Sequence, residues 1–217
     1  MKADWYFDFI SPYAYLQFAR LRELDSRLDV TLKPILFAAL LDHWGQLGPA
    51  EIAPKRAFTY AQVSWLARRQ GVTLNVPEAH PFNPLKLLRL ALHLGTTHDV
   101  VARLFAFVWQ DGHIPENEAA WRDLVGELDV IDAEAAIGRP EIKAALRKNT
   151  EDAIAAGVFG VPTLVVPTTT GPGKTFWGND ATPMVLDYLA DPEPFRRDDD
   201  RIAQLPQASV RPSSRRR

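Results

Sequence analysis

Trp5-Tyr6-Phe7-Asp8-Phe9-Ile10-Ser11-Pro12-Tyr13-Ala14-Tyr15-Leu16 is the stretch that decides the fold. Its first half is aromatic and β-branched enough for a buried strand, and its second half opens a helix. The joint is Ser11-Pro12: serine is a strong helix cap, and proline is favoured at the first helical position, where no amide proton is needed. A hydroxyl therefore stands at a helix start just beyond the carboxyl end of a strand. Open α/β sheets bind their ligands at such places. Read by itself, the stretch allows Ser11 to be nothing more than a cap.

Outward from this joint, residues 12–27 read as the first helix, with Tyr15, Ala19, Leu21 and Leu24 facing inward. Residues 29–34 alternate as a short strand that Pro34 ends. A β-α-β opening within one sheet implies a right-handed crossover and parallel strands. Helical patterns then dominate. Residues 37–44 are helical and broken by Gly45 to Pro49, and 54–70 are amphipathic with Ala57, Tyr60, Ala61, Trp65 and Leu66 on one face and Gly71 as C-cap. Three prolines make 75–84 an ordered loop. Residues 85–94 are apolar on several faces and so buried, 96–99 cap a helix over 100–110, and 115–124 and 139–156 complete the set.

The chain then returns to strands. Thr163-Leu164-Val165-Val166 is a short strand, 168–173 a hairpin-like turn and 174–177 its partner. Asn179 or Asp180 caps a last helix over 182–190. The order is β-α-β, helical insertion, α-β-β-α: an α/β, thioredoxin-like fold with a large all-helical insertion. It divides into a thioredoxin-like domain (1–36 and 139–190), an insertion (37–138) and an expected disordered tail (191–217), ending in Arg215-Arg216-Arg217.

Composition narrows the function. A chain of 217 residues, 47% hydrophobic, can bury a substantial core. A net charge of −2 argues against a general nucleic-acid binder. No apolar run is long enough to span a bilayer, and one lysine followed by Asp4 in a strand pattern gives no signal peptide, so a cytoplasmic protein is expected. Cysteine is absent, which removes disulfides, thiolate metal sites and dithiol redox chemistry. His43, His80, His93, His98 and His113 show no metal-binding spacing, and no metal is expected. Gly173-Lys174-Thr175 lacks the upstream glycine of a phosphate loop, and no Gly-x-Ser-x-Gly elbow exists. A triad built from Ser11 and His80 has no positive support.

In the thioredoxin fold a Cys-x-x-Cys begins the first helix, and a cis-proline faces it from the third strand. Here Ser11-Pro12-Tyr13-Ala14 and Val161-Pro162-Thr163 fill those places. Together with Gly157-Val158-Phe159-Gly160 and Phe176-Trp177-Gly178-Asn179-Asp180, they make residues 3–190 resemble the 2-hydroxychromene-2-carboxylate isomerases. These are relatives of kappa-class glutathione transferases with a DsbA-like thioredoxin fold.

The resemblance implies a glutathione-dependent isomerase that works on an aromatic-degradation intermediate. Ser11 would favour the thiolate of bound glutathione, the backbone of Val161 before Pro162 would pair with the tripeptide, and Asn179 and Asp180 would hold its γ-glutamyl end. Where the chain departs from the family, Lys55, Arg56 and Asn83 remain as polar anchors for the substrate. It also implies a homodimer. The chain departs from the family pattern at Asp42, Gln46, Gly48 and Ala181. These departures bear on the second substrate more than on glutathione. A kappa-like transferase acting on other electrophiles, or a non-catalytic thioredoxin-like binding module, are the alternatives.

Overall fold

The computed structural model describes residues 1–24, 27–168 and 173–206. Strands β1 (Lys2–Phe7), β2 (Asp29–Pro34), β3 (Thr163–Val166) and β4 (Lys174–Trp177) form one sheet in the order β2-β1-β3-β4. β1 and β2 are parallel, with Trp5 opposite Leu32. β3 runs antiparallel to β1 and to β4, which sets Leu164 between Trp5 and Phe176. The alternation of the strands sorts their side chains onto two faces. Trp5, Phe7, Leu164, Val166 and Phe176 enter the larger core. Tyr6 and Val165 enter a smaller one with Ile35, Leu40, Ala153 and Val158.

Ten helices surround the sheet among the described residues: α1 (Pro12–Phe18), α2 (Phe37–Trp44), α3 (Ala53–Gln70), α4 (Leu85–His93), α5 (His98–Trp109), α6 (Glu118–Glu127), α7 (Ala133–Gly138), α8 (Pro140–Ala155), α9 (Thr182–Ala190) and α10 (Glu193–Ala203). α5 ties the helical block to the strand that matters most. The Phe105 ring lies 4.8 Å from Phe9 and 5.6 Å from Phe7, and Phe7 stacks on Trp5 at 4.6 Å. Each such pair adds about 0.5–1.5 kcal/mol beyond area burial. The Trp109 indole N–H donates to the Phe9 carbonyl at 2.9 Å. The end of β1 is thus clamped from the helical side.

Several sequence expectations are corrected. The first helix stops at Phe18 rather than near residue 27, and the chain tightens into a 3-10 turn over Leu21–Leu24. Three residues per turn bring Leu21 and Leu24 to the same buried side and leave Ala19 exposed. On α3 the buried positions are Val63 and Ala67, whereas Ala57, Ala61 and Trp65 are exposed. Only part of that helix faces the body, so Tyr60 and Leu66 of the apolar stripe pack against the core while the rest of it meets solvent. α6 begins at Glu118 because Asn117 caps it, and α7, capped by Asp132, had too few residues to give a periodic signal.

The expected tail carries α10 instead. Asp191 accepts the Glu193 amide at the helix start, and Glu193 pairs with Arg196 and Arg197 one turn on. Phe195 meets Tyr188 edge-on at 5.4 Å, and Asp199 pairs with Lys174 of β4 at 2.6 Å. The 168–173 turn and the closing arginines lie, for residues 169–172 and 207–217, outside the described residues.

Candidate functional site

Ser11 caps α1: its Oγ accepts the Ala14 amide at 3.2 Å, and Pro12 occupies the first helical position. The same hydroxyl donates a long bond of 3.4 Å to the carbonyl of Val161. Val161 precedes Pro162 through a cis peptide bond. Residues 150 apart in sequence therefore meet at one hydroxyl. Ser11 is buried, at 7% exposure.

The segment before Ser11 is fixed by Asp8, which sequence reading passed over. Asp8 is fully buried. Its Oδ1 accepts the Ile10 amide at 3.1 Å, and its Oδ2 accepts the Phe37 amide, at the start of α2, at 2.9 Å. Its own carbonyl accepts the Ser11 amide at 3.1 Å. Burial pushes its carboxyl up to about 7, against the pull of the Phe37, Ile10 and Phe9 amides. The available signal was a single acid inside an otherwise apolar strand.

Asn179 and Asp180 reach the same place through β4. The Gly178 amide donates to the Pro162 carbonyl at 2.9 Å, and Gln17 of α1 donates to the Gly178 carbonyl at 2.7 Å while accepting the Trp5 indole at 2.7 Å. Gly178 has φ +99°, and a Cβ there would stand 2.6 Å from the Asp180 carboxylate. Only glycine leaves room for that carboxylate to fold back. Asn179 is buried at 3% exposure, its Oδ1 3.5 Å from the Gln70 amide nitrogen, and the Gln70 Oε1 is buried without a hydrogen-bond partner. Acceptor oxygens thus gather at this end.

Trp177 leans over the backbone before Pro162: a Cβ on Gly160 would stand 2.5 Å from its indole nitrogen. Gly160→Ala should push the indole off Phe159, whose ring it meets at 5.1 Å. Destabilisation of about 1–2 kcal/mol is expected, with a shifted Trp177 indole N–H resonance. Urea unfolding and an NMR spectrum check both.

On the helical side, the Tyr13 hydroxyl donates to Gln62 of α3 at 2.6 Å, and Nε2 of His80 lies 2.9 Å from the Ile10 carbonyl. His80 thus bonds the backbone beside Ser11 and not the Ser11 hydroxyl. Lys55 is exposed in the first turn of α3. Asn83 is exposed at the start of α4, where its side chain accepts the Leu85 amide and its own amide donates to Glu116. No hydrogen bond or ion pair among the described residues joins either to Ser11. The structure therefore gathers Ser11, Val161, Pro162, Asn179 and Asp180, and gives Lys55 and Asn83 no such link.

Residues 2–190 match the family described as DSBA-like thioredoxin domain. A 2-hydroxychromene-2-carboxylate isomerase of Pseudomonas putida is 30% identical over 191 residues, covering 83% of this chain and 90% of its own. Glutathione S-transferase kappa 2 of Caenorhabditis elegans is 27% identical over 208 residues, covering 87% of this chain and 91% of its own. A solved 2-hydroxychromene-2-carboxylate isomerase structure superposes with a TM-score of 0.72 at 25% identity, covering 92% of this chain and 98% of that one.

Proposed function

The chain belongs to the DSBA-like thioredoxin family and, within it, to the group of the 2-hydroxychromene-2-carboxylate isomerases, and on that premise we propose that it is a glutathione-dependent isomerase of conjugated aromatic-degradation intermediates. The observation that carries the reading is Ser11: a hydroxyl in the place of the redox cysteine, 3.4 Å from the Val161 carbonyl, in a chain with no cysteine of its own. The sulfur then comes from glutathione.

Three features fit that ligand. The Ser11–Val161 bond is long and easily exchanged. When the hydroxyl turns to the ligand's sulfur, the Val161 carbonyl is released to accept from the tripeptide backbone, as in an added strand. Asp180 folded over Gly178, and the unpartnered Gln70 Oε1 beside Asn179, supply acceptors for the γ-glutamyl ammonium.

Bound glutathione would supply a thiolate that adds to a conjugated double bond, leaving a single bond free to rotate, and that is expelled again as the double bond re-forms. The protein's part is to orient and to hold charge. Ser11 donates to the sulfur, and a hydrogen bond to a charged group contributes about 1.5–3 kcal/mol, or about one to two pKa units in favour of the thiolate. α1 has only seven residues, so the hydroxyl outweighs the helix dipole as the source of that effect. Gln17, bonded to both Trp5 and Gly178, keeps Ser11's helix and the Asn179-Asp180 end in register. Reliance on reduced glutathione without a protein thiol fits a reducing compartment.

Isothermal titration with glutathione checks this reading: saturable binding that weakens in Asp180→Ala is expected. Absence of heat at millimolar glutathione would overturn it.

A further inference from the structure

α2 is fastened at both ends to the two segments that meet at Ser11. Its first residue, Phe37, gives its amide to the Asp8 carboxylate at 2.9 Å, just before Ser11. Leu36, ahead of the helix, has no side chain able to cap it, so the acceptor for that amide comes from Asp8. Its last residue, Trp44, gives its indole N–H to the Val158 carbonyl at 2.9 Å, just before Val161. Midway, Leu40 is fully buried in the smaller core with Val158 and Val161. A helix of eight residues, about 12 Å long, is thus a strut between the Ser11 turn and the loop before Pro162.

That loop is tied at several points. The Val158 amide donates to the Ala153 carbonyl of α8 at 2.9 Å, and the Thr163 hydroxyl of β3 donates to the Gly160 carbonyl at 2.7 Å. Trp44 supplies the tie from α2. Its side chain is not held there for burial, because 43% of the residue is exposed, yet its N–H is committed to a carbonyl 114 residues away. Val158 itself is fully buried, so deleting the indole strands its carbonyl. The consequence reaches Ser11. Its hydroxyl meets the Val161 carbonyl at 3.4 Å, where O–H···O bonds are ordinarily about 2.5–3.0 Å. At that length a small drift of the loop separates contact from no contact, and misplacement by about 1 Å can cost about a hundredfold in rate.

We propose that Trp44 is a positioning residue for the thiol site: through the Val158 carbonyl it keeps the loop at the distance from Ser11 where the hydroxyl and the Val161 carbonyl both engage glutathione. This rests on the glutathione-dependent reading above. Trp44 acts through the loop, and the role requires no contact with the ligand.

The test compares the full chain with Trp44→Phe, which keeps an aromatic ring and drops the N–H, and with Trp44→His, whose ring carries a nitrogen in the place of the indole nitrogen. The probe is glutathione, its bound thiol titrated by thiolate absorbance and its affinity measured by calorimetry. Trp44→Phe should raise the bound thiol's pKa by about half a unit to one unit and weaken binding about three- to tenfold, the worth of one ordinary hydrogen bond. Trp44→His should recover most of both. Trp65→Phe, at an exposed ring of α3, should change neither. A purely structural role would lower the urea midpoint of Trp44→Phe and leave the thiol pKa in place, which would overturn the proposal. A folded Trp44→His protein that recovers nothing would overturn it too. Should Trp44→Phe fail to fold, hydrogen exchange in the wild type decides. Ligand binding and the Trp44–Val158 bond strengthen each other by the same factor, so saturating glutathione should slow exchange of the Trp44 indole N–H about three- to tenfold; an unchanged rate would contradict the strut. Wild-type protein that does not bind glutathione sinks the earlier reading and the positioning role with it, whereas normal binding that Trp44→Phe leaves untouched sinks the positioning role alone.

Discussion

Ser11→Ala lowers glutathione-dependent turnover by about ten- to a hundredfold near neutral pH, the fraction expected when a hydrogen bond of about 1.5–3 kcal/mol to an anion is deleted. Glutathione affinity changes little, because the γ-glutamyl end is held at Asn179-Asp180 and the backbone at Val161. The loss shrinks as pH rises, since at high pH the bound thiol ionises without help. A second, separate cost is structural. Ser11 Oγ accepts the Ala14 amide, and removing such a cap costs about 0.5–2 kcal/mol. Steady-state kinetics against pH and urea unfolding on the same variant separate the two. A variant with capping loss and unchanged turnover would make Ser11 a cap alone.

Asp8→Ala carries the largest expected loss of stability, about 2–6 kcal/mol, because it leaves the Ile10 and Phe37 amides without acceptors inside the protein, at about 1–3 kcal/mol each. That is a large share of a typical domain's stability. The pH dependence has a definite sign. The folded carboxyl titrates at about 7, above its ordinary 3.8, so between those values the native state holds a proton that the unfolded chain has released. Wild-type stability therefore falls as pH rises from about 4 to 7, by at most about 1.4 kcal/mol per pH unit from this group, and levels off above. Asp8→Ala lacks that slope, so the gap between the two proteins is wider at pH 5 than at pH 7.5. Denaturant midpoints at the two pH values measure it; an equal gap would show that Asp8 titrates normally.

Much of this fold was legible because its signals are local. The aromatic run that begins at Trp5 reads as a buried strand, although the strand ends at Phe7, Ser11-Pro12 marks a helix start, and Thr163 to Val166 reads as a strand at sight. The parallel β1–β2 pair and the antiparallel β3–β4 pair followed from connection lengths. What stayed hidden depended on distant partners. Asp8 gains its meaning from Phe37, Gln17 from Trp5 and Gly178, and His80 from Ile10. None of those pairs leaves a mark in spacing. Trp65 was placed inward by its hydrophobicity, yet 48% of it is exposed and Arg69 covers its ring at 5.2 Å. Asp191-Pro192-Glu193 carried a helix-start signal, but the strong charge after it masked α10, whose contacts are an aromatic pair and an ion pair to β4.

The pKa of the thiol of glutathione while bound, followed by thiolate ultraviolet absorbance as pH is varied, bears most directly on the role given to Ser11. The hydroxyl should hold that thiol at least about one unit below its value in free solution, and Ser11→Ala should return it most of the way. A bound thiol that titrates like the free tripeptide, or one indifferent to the loss of the hydroxyl, would contradict the account.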